Sequence, residues 1–265
     1  MSQKITSITL YLLAGLVGLF ALFYPFFLRA TATSVGSGSG GFRVSETPLL
    51  ATLLVTLCLA ALLAELQGQA TGSKMVAVLG IMVAVTATLR FIEVGIPGPA
   101  GFSPIFAPII LGGYVFGPRF GFLLGAMTML VSAIITGGVG PWLPYQMFTA
   151  GWVGLTSGWL PHFKNSVAEI GLLVTFAFLW GFGYGAIMNL YSWPYLMGDP
   201  RMTWSPEATV MESLRRYGAY YVTTSLIWDS AAAIGNVILV ATLGLPTVRA
   251  LMRFRGRMHF QVQHS

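Results

Sequence analysis

One acidic residue, Asp229, lies inside the last long apolar segment of the chain, where an ionisable side chain is costly. Polar and small side chains would share one face of that helix, at steps of four, four, three and four: Tyr221, Ser225, Asp229, Ala232 and Asn236. Such a group is either functional or one half of a hydrogen-bond clamp between helices, for which Asn189 is the candidate partner. The sequence leaves both interpretations open.

Aromatic residues form a second group that could bind a ligand. Several flank prolines and glycines in stiff loops, which suits a pocket closed by lids, although an aromatic belt at a membrane interface has the same composition. Charged residues border another stiff loop, GIPGPAGFSP, either as pocket contacts or as an ordinary span end. The predicted substrate-binding residues are Arg90, Phe91, Glu93, Phe102, Trp142, Tyr145, Gln146, Trp180, Tyr184, Asn189, Tyr221 and Asp229.

Catalytic and metal-binding patterns are missing from the sequence. His162, His259 and His264 form no pair with metal-ligand spacing, and neither a nucleophile elbow nor a His-Glu-x-x-His motif occurs. Residues 67–74 lack the Gly-Lys-Ser/Thr ending of a phosphate-binding loop. The lone Cys58 excludes a disulfide framework. We therefore predict no catalytic residue, no metal, no cofactor and no nucleic-acid partner.

The composition places these residues in a membrane. Of the 265 residues, 55% are hydrophobic and 8% are charged, and the mean hydropathy is +0.77. Soluble domains are about 25% charged. Several apolar runs approach the roughly 20 residues that a spanning helix needs, and none alternates as the strands of a membrane barrel do. The predicted fold class is an all-α integral membrane protein.

Eight spans are expected, and the fourth is too short for an upright crossing. They lie at about 5–28, 48–66, 75–92, 104–116, 120–135, within 137–161, at 170–191 and at 217–245. The first two form an N-terminal hairpin, residues 1–66. The other six form a core, residues 67–258, and residues 259–265 form a tail. Residues 193–216 are expected to be the longest polar connection.

Small residues recur at spacing three or four on several of these helices, which lets helix backbones approach closely. The rows are Gly80, Ala84 and Thr88; Gly117, Gly121 and Gly125; and Gly151, Gly154 and Gly158. The run GFGYG, with Gly181, Gly183 and Gly185, is expected to be another packing face rather than a nucleotide loop.

The connections differ between the two sides of the predicted bundle. Three loops rich in proline, glycine and aromatic residues, at 93–103, 137–143 and 193–216, fall on one side. Eight lysines and arginines fall on the other side and six on the loop side. The eight include the four arginines that precede the tail, Arg249, Arg253, Arg255 and Arg257. The positive-inside rule then predicts that both termini are cytoplasmic and that the three loops face outward.

With these features the chain resembles the substrate-binding S components of energy-coupling factor (ECF) vitamin transporters, over about residues 74–257. The resemblance rests on the row Gly80, Ala84 and Thr88, the loop after it, FGPRFGFLLGAMTML, GGVGPWLPYQMFTAGWVG and the basic tail. It implies a vitamin bound near the outer face beneath the outer loops. It also implies docking through Gly80, Ala84 and Thr88 on a transmembrane T component driven by two ATPases, so that this chain needs no ATPase motif.

The extra hairpin departs from typical six-helix members and resembles a longer branch often assigned to cobalamin. WDSAAAIGN (228–236) and GAIMNLYSWP (185–194) are similar to that branch. Cobalamin or another corrinoid is therefore the first expected substrate, and thiamine or its hydroxymethylpyrimidine precursor the second. A membrane enzyme acting on a lipid or prenyl substrate would need clustered acids, and only Asp229 is available. A secondary transporter would be expected to show inverted repeats, which the two halves of the chain lack.

Overall fold

The computed structural model describes residues 70–95 and 103–258 continuously, together with isolated helical positions between residues 13 and 56. In the two continuous ranges every regular element is helical, which confirms the all-α fold class. The elements are α1 (Ala70–Gly95), α2 (Phe106–Phe116), α3 (Pro118–Thr136), α4 (Leu143–Ser157), α5 (Ser166–Ser192), a 3-10 turn (Trp193–Tyr195), α6 (Val210–Thr224) and α7 (Leu226–Met258). Most of the predicted hairpin, residues 96–102 and the tail lie outside the described residues.

Four of the described helices are long and apolar enough to cross a membrane. These candidate spans are Lys74–Gly95, Pro118–Thr136, Ser166–Tyr195 and Leu226–Arg257. The helix α2 is apolar but has only 11 residues, as the short fourth span predicted. Nine of those 11 residues are buried. Because it packs against α1, α3, α4, α5 and α7, it lies in the centre of the bundle.

The closest helix pair is α3 with α4, and glycines make the approach possible. A Cβ atom at Gly121 would lie 2.0 Å from the carbonyl oxygen of Gly154, and one at Gly125 would lie 2.0 Å from that of Ala150. Two of the predicted small-residue rows therefore face each other, and any larger side chain would push the backbones apart. Gly137 ends α3 in the left-handed conformation, with φ of 66°.

The helices α5 and α7 pack in the same way. A Cβ atom at Gly181 would lie 2.4 Å from the Cα atom of Ala233, so the predicted packing face on GFGYG is confirmed at this position. Gly183 is not part of it, because its Cβ position meets only the ring of Trp180, at 3.5 Å.

The predicted last span, 217–245, is wrong at both ends. Helix α6 begins at Val210, inside the segment expected to be a polar connection, and α7 continues to Met258. The side chain of Thr209 caps α6 by accepting a hydrogen bond from the Glu212 N–H. At Ser225 the backbone leaves helical geometry, with φ of −127°, so the chain bends between α6 and α7. Because Thr209 caps a polar first turn, α6 begins earlier than the hydropathy of the sequence indicates.

The two ends of the bundle carry different structures. The tail end holds the turns after α2 and α4 and the end of α7; there a Cβ atom at Gly158 would lie 2.2 Å from Pro118 N, and the guanidinium of Arg255 donates to Val115 O at 2.6 Å. The opposite end, called the loop end, holds residues 137–142 and 193–209, and the rings of Tyr145 and Tyr191 meet there. The described parts of the three stiff loops therefore share one end, as predicted.

Some N-terminal positions also contact the core. Residues 15–20 are helical, and Gly18 and Leu22 are buried. A Cβ atom at Gly18 would lie 2.0 Å from the ring of Phe148 on α4, and the ring of Phe26 lies 5.4 Å from that of Trp204 and 5.9 Å from that of Trp193. Positions spaced by four residues therefore rest on α4 and on the connection after α5.

Candidate functional site

A polar cluster lies below the loop end, where α1 finishes and the chain enters α2. The Ser103 hydroxyl donates a hydrogen bond to Glu93 Oε2 at 2.8 Å. One turn earlier on α1, Arg90 Nη1 lies 3.1 Å from Met129 Sδ on α3. Ser103 is only 8% exposed. Opposite charges are thus held three positions apart near the end of α1.

Tyr184 of α5 completes this cluster from the opposite side. Its ring packs on Phe106, the first residue of α2, with a centroid distance of 4.7 Å. Its hydroxyl is buried, and the guanidinium of Arg90 and the carboxylate of Glu93 lie close to it, but no described residue forms a well-aligned hydrogen bond with it. A buried hydroxyl without a partner costs about 1–3 kcal/mol. A polar group of a ligand could supply that missing hydrogen bond. We call Arg90, Glu93, Ser103, Phe106, Met129 and Tyr184 the outer polar cluster.

An aromatic pair lies beside the cluster, between α4 and α5. The rings of Tyr145 and Tyr191 are 4.4 Å apart, and Tyr145 is 5% exposed. One turn deeper, the Thr149 hydroxyl approaches Met188 Sδ at 3.8 Å. Tyr184, Met188 and Tyr191 are at spacing four and three, so they share one face of α5. This face presents aromatic and sulfur-containing side chains to α4.

A second polar network joins α5 to α6 and α7. Asn189 Nδ2 donates to Ser225 Oγ at 2.7 Å, and Tyr221 donates to Asp229 Oδ2 at 2.7 Å. Tyr217 donates to the carbonyl oxygen of Ala186. Further along, the hydroxyls of Ser192 and Tyr220 are 2.9 Å apart. We call Ala186, Asn189, Ser192, Tyr217, Tyr220, Tyr221, Ser225 and Asp229 the α6 network.

The α6 network decides how Asp229 is held in the described structure. Its carboxylate accepts from Tyr221 and lies against Gly185, while Asn189 binds Ser225 instead. The helices are thus clamped by two adjacent hydrogen bonds rather than by a direct Asn189–Asp229 bond. Deeper on the same face, Asn236 is fully buried, and neither atom of its amide has a partner among the described residues.

The predicted substrate-binding residues therefore divide into separate groups. Arg90, Glu93 and Tyr184 belong to the outer polar cluster, and Asn189, Tyr221 and Asp229 belong to the α6 network. Tyr145 pairs with Tyr191, Gln146 is half-buried, and Trp180 is partly buried against the core. Phe91 and Trp142 are 50% and 42% exposed, so they face away from the buried polar groups. Phe102 lies outside the described residues.

Three members of the outer polar cluster were not predicted from the sequence. Ser103 had a signal, because it is a hydroxyl-bearing residue at the end of the stiff loop, three residues before the short helix α2. Phe106 and Met129 look like ordinary apolar positions on their helices. Only the packing of α3 against α1 and of α2 against α5 brings them to Arg90 and Tyr184.

A groove on the loop end was also missed. It measures about 760 Å³ and runs along the first turns of α6. Its lining residues are Pro200, Arg201, Thr209, Met211, Glu212, Arg215, Arg216 and Ala219. Arg216 pairs with Glu212, and Arg201 pairs with Asp199. Hydrogen bonds from the backbone and side chain of Arg201 lower the pKa of Asp199, which keeps this exposed carboxyl ionised.

The row Gly80, Ala84 and Thr88 lies on the opposite side of α1 from the core. All three residues are exposed, and no atom lies within 4 Å of a Cβ position at Gly80. Their neighbours Ile81 and Val85 are 64% and 54% exposed. The buried side of α1 instead uses Val78, Leu79, Val83 and Ala87. No described residue therefore covers this apolar side of α1, which we call the bare face of α1.

Among the described residues, no three histidine, cysteine, aspartate or glutamate side chains lie close enough together to hold a metal ion. A family model, "ECF transporter, substrate-specific component", matches residues 74–244. No curated protein and no solved structure matches the chain significantly. The matched range includes the outer polar cluster, the α6 network and the bare face of α1.

Proposed function

Because this chain belongs to the family of substrate-specific components of ECF transporters, we propose that it binds a vitamin at its loop end and passes it to a transmembrane T component driven by two ATPases. Members of this family bind small-molecule substrates within the membrane and are not enzymes. The proposal adds the chemical class of the ligand, the place where it binds and the face that meets the T component.

The observation that carries the binding site is the buried hydroxyl of Tyr184, which forms no well-aligned hydrogen bond with a described residue. It lies beside the guanidinium of Arg90 and the carboxylate of Glu93, near the end of α1 and the start of α2. Charged and polar side chains of both signs converge there among apolar side chains, and ligand sites commonly have this composition. The ring of Phe106 and the Tyr145–Tyr191 pair supply nearby aromatic surface.

Cobalamin or another corrinoid is our first candidate, and thiamine or its precursor the second. The two segments that resemble the cobalamin branch, 185–194 and 228–236, supply the α5 and α7 sides of the α6 network. A corrinoid carries many amide side chains, so it would need donors and acceptors spread over a wide surface. The outer polar cluster and the α6 network lie on successive faces of α5, since Tyr184 belongs to one and Ala186 to the other.

The purified full-length protein provides the test. It is produced in cells supplied with vitamins, isolated in mild detergent and denatured, and the released molecules are identified by absorbance and mass spectrometry. We expect one vitamin at near-stoichiometric amounts, with the corrinoid spectrum if our first candidate is right. Tight binding of no vitamin at all would refute the proposal.

We propose that the bare face of α1 is the docking surface for the T component. Small residues are favoured where membrane helices pack closely, and no described part of this chain covers Gly80. The four arginines that precede the tail support the orientation that places the loop end outside, by the positive-inside rule. If this orientation is correct, a reporter that functions only in the cytoplasm should be active when it is fused after Ser265.

A further inference from the structure

A groove of about 640 Å³ lies beside α7 at the tail end. Its lining residues are Pro246, Arg249, Met252 and Arg253. The two arginines are one helical turn apart, so their side chains lie on the same side of α7. The proline and the methionine make the rest of the surface apolar.

The charges of these arginines are not neutralised within the described structure. Arg249 Nη2 donates to the hydroxyl of Ser166 at 2.9 Å, and Arg253 Nε donates to the carbonyl oxygen of Arg249 at 3.3 Å. Both acceptors are uncharged, and the ion pairs found in the described ranges lie elsewhere. Each guanidinium has five N–H groups, so most of the donors remain available to an anion.

The surroundings of the groove are those of a lipid-facing surface. Leu243 is 57% exposed just before Pro246, and Phe254 is 46% exposed directly after Arg253. The candidate span of α7 ends at Arg257. The arginines therefore lie where exposed apolar side chains give way to charged ones, which is the level of lipid headgroups.

We propose that this groove binds an anionic phospholipid, with its phosphate on Arg249 and Arg253 and the start of an acyl chain against Pro246 and Met252. Guanidinium groups bind phosphate through paired hydrogen bonds, and basic pockets at helix ends recognise anionic headgroups. A soluble phosphate would leave the apolar part of the groove uncovered, so the lipid is the better match. This inference is independent of vitamin binding.

Lipid titration of the detergent-purified full chain, followed by native mass spectrometry, tests the proposal. Phosphatidylglycerol is compared with phosphatidylcholine for the wild type and for the double variant Arg249→Gln/Arg253→Gln. The matched control, Arg201→Gln/Arg215→Gln, removes the same number of charges at the loop end. Arg249→Lys/Arg253→Lys keeps the charges, so the comparison survives if the glutamine variant does not fold.

We expect the wild type to retain phosphatidylglycerol in preference to phosphatidylcholine. Each arginine near an anionic lipid contributes roughly fivefold, so the glutamine variant should bind about 10- to 30-fold more weakly. The lysine and control variants should keep most of the binding. Equal retention of the two lipids, equal loss in the control, or displacement of the lipid by glycerol phosphate would overturn the lipid assignment. Normal lipid retention in the glutamine variant would also overturn it, even if that variant no longer assembles with the T component.

Discussion

The carboxylate of Asp229 occupies the space in which a side chain at Gly185 would lie. A Cβ atom at Gly185 would be 1.9 Å from Asp229 Oδ2, and the same oxygen accepts a hydrogen bond from Tyr221. The glycine on α5 is thus what allows an acid on α7 to sit between two helices. The α6 network depends on this position.

Replacing Gly185 by alanine should therefore displace the carboxylate. The added methyl group would force Asp229 away from Tyr221, and we expect the free energy of unfolding to fall by about 1–3 kcal/mol. Gly183→Ala is the matched control, because a Cβ atom there meets only Trp180 at an ordinary contact distance of 3.5 Å. Thermal unfolding of both variants in detergent provides the comparison. Equal melting temperatures would show that the helices adjust without cost.

The variant Tyr184→Phe should weaken vitamin binding without lowering the stability of the protein. Removing a buried hydroxyl that forms no well-aligned hydrogen bond with a described residue should leave the ligand-free protein equally stable or stabilise it by about 1–3 kcal/mol. Vitamin affinity should nevertheless fall, because the ligand loses a hydrogen bond. The control is Tyr114→Phe at the tail end, where the hydroxyl donates to Glu169 Oε1 at 2.7 Å. That variant should lose stability and keep its affinity. Unchanged vitamin affinity in Tyr184→Phe would remove this hydroxyl from the proposed site.

Gly80→Leu and Ala84→Leu should abolish vitamin uptake while vitamin affinity stays near that of the wild type. A bulky side chain on the bare face of α1 would hold a partner helix away without touching the outer polar cluster. Gly171→Leu is the control, because Gly171 is also exposed and has no atom within 4 Å of its Cβ position. Uptake in cells that contain the T component and ATPases, measured beside affinity in detergent, tests this. Weaker binding in Ala84→Leu would place that residue in the pocket instead.

Asn236→Leu tests whether the buried amide on α7 has a hidden partner. Neither amide atom has one among the described residues, so an apolar replacement of similar size should raise the free energy of unfolding by about 1–3 kcal/mol. The measurement is the melting temperature of the ligand-free protein. A lower melting temperature would mean that the amide binds a water molecule or another group in the native protein.

Two further measurements, of catalytic turnover and of vitamin uptake without partner proteins, test the proposed function itself. The variant Asp229→Asn should show no loss of catalytic turnover, because a substrate-binding subunit has no turnover to lose.

Vitamin uptake should stop in cells that lack the partner ATPases. Vitamin uptake that persists there would instead indicate a self-contained transporter.

The sequence alone determined those features that depend on local composition. Long apolar runs required membrane helices, and hydropathy predicted the short α2. Closely spaced glycines predicted faces on which helices pack tightly, as α3 does with α4 and α5 does with α7. The start of α6 was missed because a polar helix has no hydropathy signal, although Thr209 and Glu212 already carried a capping pattern.

Only the tertiary structure decided which side chains meet. Arg90 lies 39 positions from Met129, and Asn189 lies 36 positions from Ser225, yet each pair is in contact. Periodicity says which residues share a face of one helix, but the rotation and depth of a helix against its neighbours depend on how all the helices pack together. For this reason Glu93 and Tyr184 entered one cluster, whereas Phe91, two positions from Glu93 on the same helix, faces outward.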